Sequence, residues 1–311
     1  MTGWRLSAPV AFLIFNRPDK TRQVFEEIAK AKPPVLLLVA DGPRPEKVGE
    51  QELCECTRSI VELVNWECDV RTNFSEWNMG CKERISSGLD WVFEEVEEAI
   101  ILEDDCLPAP SFFRFADELL EKYRYDTRIG MISGNNFQRQ NFQTMASYYY
   151  SKYGHIWGWA TWRRSWKYHD RGIHGWPSLK EQGLMRAIHP NSDESRYWCE
   201  IFDAVYDGRI DTWDYQWILA LWEHSFLTIL PGVNLISNIG FDGQATHTIE
   251  DSPLANMSVQ ELSFPLQHPV DVCVNEGADA YTWNNIYSPK RQGAVRKAFR
   301  KVFRHIFKNN T

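Results

Sequence analysis

Apolar residues fall in short runs along the first half of the chain, and each run ends in polar or charged residues. Pro9 to Phe15 (PVAFLIF) is the first, followed by Asn16-Arg17-Pro18-Asp19. A short apolar run reads as a buried strand. Pro18 and Asp19 are helix-start residues, and Val24, Ile28 and Ala31 then share a face, which predicts a helix over Lys20 to Lys30. Val35 to Ala40 (VLLLVA) is the second strand, closed by Asp41-Gly42-Pro43. A helix carrying Ile60, Val61 and Val64 comes next, then a weaker strand over Glu67 to Arg71. Asn78-Met79-Gly80-Cys81-Lys82 opens another helix, with Ile85, Leu89, Val92 and Phe93 on its apolar face. The fourth strand, through Ala99-Ile100-Ile101-Leu102, runs straight into Glu103-Asp104-Asp105.

Four strand–helix alternations predict an α/β fold with a mostly parallel sheet covered by helices on both faces. Asn16 and Arg17, Asp41, and Glu103 to Asp105 then gather at the carboxyl ends of strands, the edge where open α/β sheets bind ligands. The first strand lacks a GxGxxG, and GxxxxGK[ST] occurs nowhere, which disfavours a dinucleotide-binding dehydrogenase and a P-loop NTPase. Three consecutive carboxylates repel one another. A hard divalent cation, Mn²⁺ or Mg²⁺, joins such a group well and commonly carries a diphosphate. The plainer reading is a solvated acidic turn.

The second half has a different texture. Pro110 opens a helix with Phe112, Phe113, Ala116, Leu119, Leu120 and Tyr123 on one stripe, and strands are expected over Ile129 to Ser133 and Ser147 to Ser151. Nine of the fourteen tryptophans lie between Trp157 and Trp222, so this half is where aromatic rings either build a core or stack on sugars. The block Trp157-Gly158-Trp159-Ala160-Thr161-Trp162, with Gly154 before it, leaves room for backbone or ligand to approach closely. Asp211-Thr212-Trp213-Asp214-Tyr215-Gln216-Trp217 is a second acidic candidate, in which Asp214 is either a helix N-cap or a catalytic carboxylate. Ser237 to Thr248 reads as a glycine-rich loop. His247 within it is a candidate for metal or phosphate, or a loop histidine with neither role.

These features divide the chain into one domain over 1–248, with a donor and metal half (1–140) and an acceptor half (141–248). An extended arm over 249–289 and a tail over 290–311 follow. Eight lysines and arginines and no acids lie between Lys290 and Lys308, although the whole chain carries a net charge of −8. Val295, Phe299, Val302, Phe303, Ile306 and Phe307 share one helical face there. A basic amphipathic helix of this kind lies on an anionic membrane surface or docks on the acidic body. The acid excess elsewhere argues against nucleic-acid binding. No apolar run approaches the ~18–20 residues of a membrane span, and Met1 to Ser7 has no signal-peptide core. Seven scattered cysteines lack zinc-site spacing and fit reduced thiols. The expected location is cytoplasmic, peripheral on the inner face of the cytoplasmic membrane.

Ile100-Ile101-Leu102-Glu103-Asp104-Asp105, followed by Ala109-Pro110-Ser111-Phe112-Phe113, resembles the metal-site segment of the GT-A nucleotide-sugar glycosyltransferases, closest to the N-acetylglucosaminyltransferase I branch. Phe15-Asn16-Arg17-Pro18, Asp41-Gly42-Pro43-Arg44, the Trp157–Trp162 block and Ala245-Thr246-His247-Thr248 are similar to features of bacterial polysaccharide-locus proteins of that fold. The resemblance covers roughly residues 8 to 248 and implies a Rossmann-like GT-A sheet. It implies that Asp105 binds Mn²⁺ or Mg²⁺, with His247 a second candidate ligand. Asp104 holds ribose or sugar hydroxyls, Glu103 the donor sugar, and Arg17, Asp41, Lys82 and Arg84 the nucleotide. Trp157, Trp159 and Trp213 face the acceptor sugar. The relative's Trp-Asp-Asp-Trp segment, which supplies its catalytic base, reads here Trp213-Asp214-Tyr215-Gln216-Trp217. The second aspartate is missing, and Asp214 is the remaining candidate. The implied activity is an inverting, metal-dependent transfer of a sugar from a nucleotide-diphosphate donor, a UDP-sugar favoured, to a glycan or lipid-linked acceptor in surface polysaccharide synthesis. A retaining enzyme of the same fold, a nucleotidyltransferase and a non-catalytic carbohydrate-binding membrane adaptor are the alternatives.

Overall fold

The computed structural model describes residues 4–138, 142, 144–241 and 254–288. Ten strands are β1 (Val10–Ile14), β2 (Val35–Ala40), β3 (Asp69–Phe74), β4 (Glu98–Glu103), β5 (Cys106–Pro108), β6 (Ile129–Ser133), β7 (Tyr148–Ser151), β8 (Trp159–Trp162), β9 (Leu227–Pro231) and β10 (Ile236–Asn238). The α-helices are α1 (Pro18–Ala31), α2 (Glu50–Arg58), α3 (Cys81–Glu95), α4 (Pro110–Tyr123), α5 (Arg163–Trp166), α6 (Trp176–Glu181), α7 (Leu184–Ile188), α8 (Ser192–Tyr206), α9 (Asp214–Glu223) and α10 (Glu276–Thr282).

Eight strands form one sheet in the order β3-β2-β1-β4-β8-β6-β9-β7. β3, β2, β1, β4, β6 and β9 run one way, and β8 and β7 run against them. The fold is mixed α/β with a mostly parallel sheet flanked by helices. Alternation along each strand sorts its side chains between two layers. Val10, Phe12 and Ile14 of β1 pack with Val24, Phe25 and Ile28 of α1 and the phenylalanines of α4. Ala11 and Leu13 face the opposite layer, with Ile85 and Leu89 of α3 and the tryptophan-rich helices α5 to α9.

α1 begins where proline costs least, with Pro18 in its first turn, and ends at Lys32 in the left-handed region (φ 52°). α2 starts earlier than the Ile60 pattern suggests. Ile60 and Val61 lie in a 3₁₀ turn, Ser59–Leu63, that continues α2. The third strand sits two to three residues later than expected, because β3 is an edge strand with polar Asp69, Arg71 and Asn73 along it.

The tryptophan block is a strand. β8 pairs antiparallel with both β4 and β6, so it lies inside the sheet. A Cβ on Gly158 (φ +62°) would collide with Ile236, and one on Gly154 would press on Ile218 and Met131. Both glycines admit protein atoms. Trp159 is 0% exposed, stacks on Trp213 with centroids 5.8 Å apart, and packs tilted against Trp217 at 5.8 Å. Trp159→Ala removes a fully buried indole and is expected to destabilise the fold by about 3–5 kcal/mol. Urea melts check this, and a loss below 1 kcal/mol is the contrary result.

Residues 254–275 hold no regular helix or strand. They hydrogen-bond across the body, Gln260 N to Asn234 O at 2.9 Å, Leu262 N to Ser111 Oγ at 3.0 Å and Asn275 N to Tyr150 O at 2.8 Å. The stretch expected as an extended arm then ends in a helix. α10 is capped by Asn275, whose side chain accepts from Ala278 N. His247 and the basic tail over 290–311 lie outside the described residues. Among the described residues no helix is long and apolar enough to cross a membrane.

Candidate active site

The register of the parallel strands brings three polar groups side by side. Ile14 pairs with Ala40, and Leu13 with Glu103. The residues that follow, Asn16 and Arg17 after β1, Asp41 after β2, and Asp104 and Asp105 after β4, therefore emerge together on one edge.

Arg17 organises this edge. Its Nε and Nη2 donate to the two oxygens of Asp104, and its Nη1 donates to Asp105 Oδ2 at 3.0 Å. Burial works against the guanidinium charge, but Asp104 and Asp105 outweigh it and raise its pKa. The fork geometry suits arginine and not lysine. Asp104 is only 3% exposed and both its oxygens are taken. Asp104 holds Arg17 in place at this edge.

One guanidinium faces three carboxylates, so the group keeps a negative excess. Glu103 shows the strain. Burial, then Asp105 and Asp104, push its carboxyl up to about 8. Asp214, more than a hundred residues later, adds to the same shift, so it lies within electrostatic reach of Glu103. Cys81, first residue of α3, senses Glu103, Asp214, Asp211 and Asp41 together. Its thiol is driven well above the ordinary range, by burial first, although its side chain is exposed to solvent. Glu103, Asp211, Asp214 and Cys81 are thus electrostatic neighbours in the candidate cleft, at the sheet edge beside α3 and the start of α9.

Asp214 is the first residue of α9, after Trp213 at the N-cap position, so it is not the helix cap. The Thr212 hydroxyl donates to Asp214 Oδ1. Burial raises the Asp214 pKa, and Thr212 and the N–H groups of Asp214 and Tyr215 hold it partly down.

The second half returns to the acids through a two-stranded ribbon. β10 pairs antiparallel with β5, directly after Asp105. Ile239 N then donates to the Asp105 carbonyl at 2.8 Å, and Asn238 Oδ1 accepts from Gly240 N at 2.8 Å. A Cβ on Gly240 would collide with Asp105 Oδ2. Glycine here lets the Asp105 carboxylate pack directly against the chain at residue 240. Gly240, Thr212 and Cys81 were not marked as functional by their local sequence; only the chain reversal at β10 and the start of α9 bring them to the cleft.

The remaining expected residues separate into two groups. Asp41 is buried, and its carboxylate accepts from Gly42 N (2.9 Å), Met79 N (2.8 Å), Gly80 N (3.0 Å) and Asn78 Nδ2 (3.0 Å). It anchors the loop before α3. Arg84 is buried too and donates to the carbonyl and side-chain oxygens of Asn73 at 2.6 and 2.7 Å, a tie between α3 and β3. Trp159, and Trp213 at 4% exposure, are core residues and do not line a groove. Trp157 is half-buried, with Phe137 and Phe241 edge-on at 5.5 and 5.6 Å. Lys82 is half-buried beside Cys81 and has no ion-pair partner among the described residues. Asp41→Ala would strand one buried and three half-buried donors, with about 1–3 kcal/mol expected for the buried one and less for the others. Hydrogen exchange at Met79 and Gly80 is expected to accelerate strongly, and unchanged protection would contradict the anchor.

Among the described residues, no three His, Cys, Asp or Glu side chains form a preformed metal cage. The donor set nevertheless suits Mn²⁺ or Mg²⁺, which are commonly held by one or two carboxylates with the rest supplied by substrate phosphate and water. Asp105, partly exposed and held by one arm of Arg17, provides that kind of partial site.

No protein-family profile and no curated protein matches the sequence. Among solved structures, the chain is similar to the mannosyltransferase PcManGT from Pyrobaculum calidifontis in complex with GDP-Man and Mn²⁺. The two are 12% identical, with a TM-score of 0.40 over 70% of each chain.

Proposed function

We propose that the chain is a metal-dependent glycosyltransferase that moves a sugar from a nucleotide-diphosphate donor with inversion at the anomeric carbon. The observation that carries this reading is the grouping of charges: Asp104 and Asp105 held by Arg17 after β4, Glu103 beside them, and Asp214 from α9 within electrostatic reach. A surface turn would not gather acids from two distant segments at one edge. The sequence resemblance around Glu103 to Phe113 supports the same class.

In this reading Asp105 holds a divalent ion with the donor diphosphate, and Arg17 fixes the Asp105 carboxylate. When bound, that ion offsets the negative charge that builds on the leaving diphosphate. Glu103, next to Asp104 and Asp105 at the same edge, would contact the transferred sugar. Asp214 takes the proton of the acceptor hydroxyl. Its Oδ1 is engaged by Thr212, and Oδ2 accepts no side-chain hydrogen bond among the described residues. A carboxylate raised by burial is the better base, because its basicity moves toward the working pH. Trp157, the solvent-touching member of the tryptophan block, is proposed to border the acceptor. The acceptor is a glycan or a lipid-linked sugar, and a membrane-facing role belongs to the basic tail.

A thermal-shift panel of nucleotide diphosphates and nucleotide sugars, with and without Mn²⁺, tests the class. Divalent-dependent stabilisation by one nucleotide is the expected result. Silence across the panel would sink it, and a product of retained anomeric configuration would remove the inverting step. Thr212→Val offers a finer check. The Thr212 hydroxyl stabilises the charged Asp214, so its loss should raise the Asp214 pKa. The base works deprotonated, so the acid limb of the pH–rate profile should move to higher pH. A limb that stays in place or moves down contradicts this.

A further inference from the structure

Trp77 is 66% exposed, yet the loop that carries it is firmly held. Asp41 grips Asn78, Met79 and Gly80 just beyond it, and Asn78 Nδ2 also donates to Gly42 O at 2.9 Å. On the other side, Arg58 Nη2 donates to the carbonyls of Asp41 and Ser75 at 2.8 and 2.6 Å, and its guanidinium lies over the Phe74 ring at 5.2 Å. The Ser75 hydroxyl donates to Trp77 O at 2.6 Å. A Cβ on Gly42 would collide with the Trp77 backbone, so that backbone rests directly on the end of β2. The molecule therefore commits several hydrogen bonds to present one large indole to water. A large exposed ring on an ordered backbone stacks on a flat partner at low entropic cost.

Its place in the sheet indicates the partner. The loop follows β3 on the same carboxyl edge as the acids. From β3 through β2 and β1 to β4 is three strand spacings, about 14 Å. A nucleoside diphosphate with its phosphates at Asp105 and lying along this edge brings its base toward β3. We propose that Trp77 is the stacking platform for the donor nucleobase. This rests on the nucleotide-sugar reading above and adds a residue that neither the acid motif nor its flanks point to.

Calorimetric titration of the full chain in Mn²⁺ tests it, with UDP, GDP, ADP and dTDP as nucleotide probes and inorganic pyrophosphate as the probe without a base. Trp77→Ala is expected to weaken whichever nucleotide the wild type binds by about tenfold or more, the usual scale of base–aromatic stacking. Trp77→Phe should recover most of that loss, and pyrophosphate should bind all three proteins alike. Unchanged nucleotide affinity in Trp77→Ala overturns the platform, as does an equal loss of nucleotide and pyrophosphate. If the wild type binds pyrophosphate and no nucleotide, or neither, the nucleotide-sugar reading falls and the platform with it.

Discussion

Asp105→Ala is expected to abolish Mn²⁺-dependent donor binding and to reduce transfer by at least a thousandfold. The lost Lewis-acid stabilisation is worth several kcal/mol, and each 1.4 kcal/mol is about tenfold in rate. Asp105 differs from its neighbours in what it touches. Asp104 is spent on Arg17, whereas Asp105 shares only Nη1 of that arginine and is the more exposed of the two. Removing Asp105 frees one arm of Arg17 and leaves its fork on Asp104 intact, so the sheet edge should keep its shape. The check is donor binding and initial rate across a Mn²⁺ series, with melting temperature as the control. A variant that folds and still turns over in a Mn²⁺-dependent way would take the metal role from Asp105.

Asp214→Asn should separate binding from chemistry. The amide keeps the size of the carboxylate and can still accept from the Thr212 hydroxyl through its oxygen. It cannot take a proton. General-base assistance is typically worth ~10²–10⁴-fold, and a loss of that size is expected in kcat with the donor dissociation constant within about twofold of the wild type. Equal losses in donor affinity and rate would make Asp214 a structural residue of α9. An unchanged kcat would place the base elsewhere.

Local sequence carried far into the first half of the fold. β1, β2, β4 and β6 fall where the short apolar runs place them, because a buried parallel strand is apolar on both faces and ends abruptly at the sheet edge. The edge grouping of Arg17, Asp41 and the acid triplet follows from strand order alone. What local sequence does not carry is the destination of each side chain. Asp41 and Asp104 sit where a ligand-binding aspartate belongs, but four loop donors claim one and a bidentate arginine the other. The tryptophan block misleads for a topological reason. β8 turns back antiparallel between β4 and β6, a pairing across sixty residues on one side and about thirty on the other, and this converts an apparent sugar platform into core. Asp214 shows the opposite case. Its neighbours in sequence suggest a helix start, and only the packing of α9 against the cleft brings it to Glu103.

The central claim is that nucleotide diphosphate and a divalent ion meet at Asp105 within this cleft. It is tested most directly by calorimetric titration of the panel nucleotide into wild type and Asp105→Ala, each with Mn²⁺ and with chelator. Binding confined to the wild type in Mn²⁺ is the predicted result. Equal affinity in chelator, or in the folded variant with Mn²⁺, would contradict it.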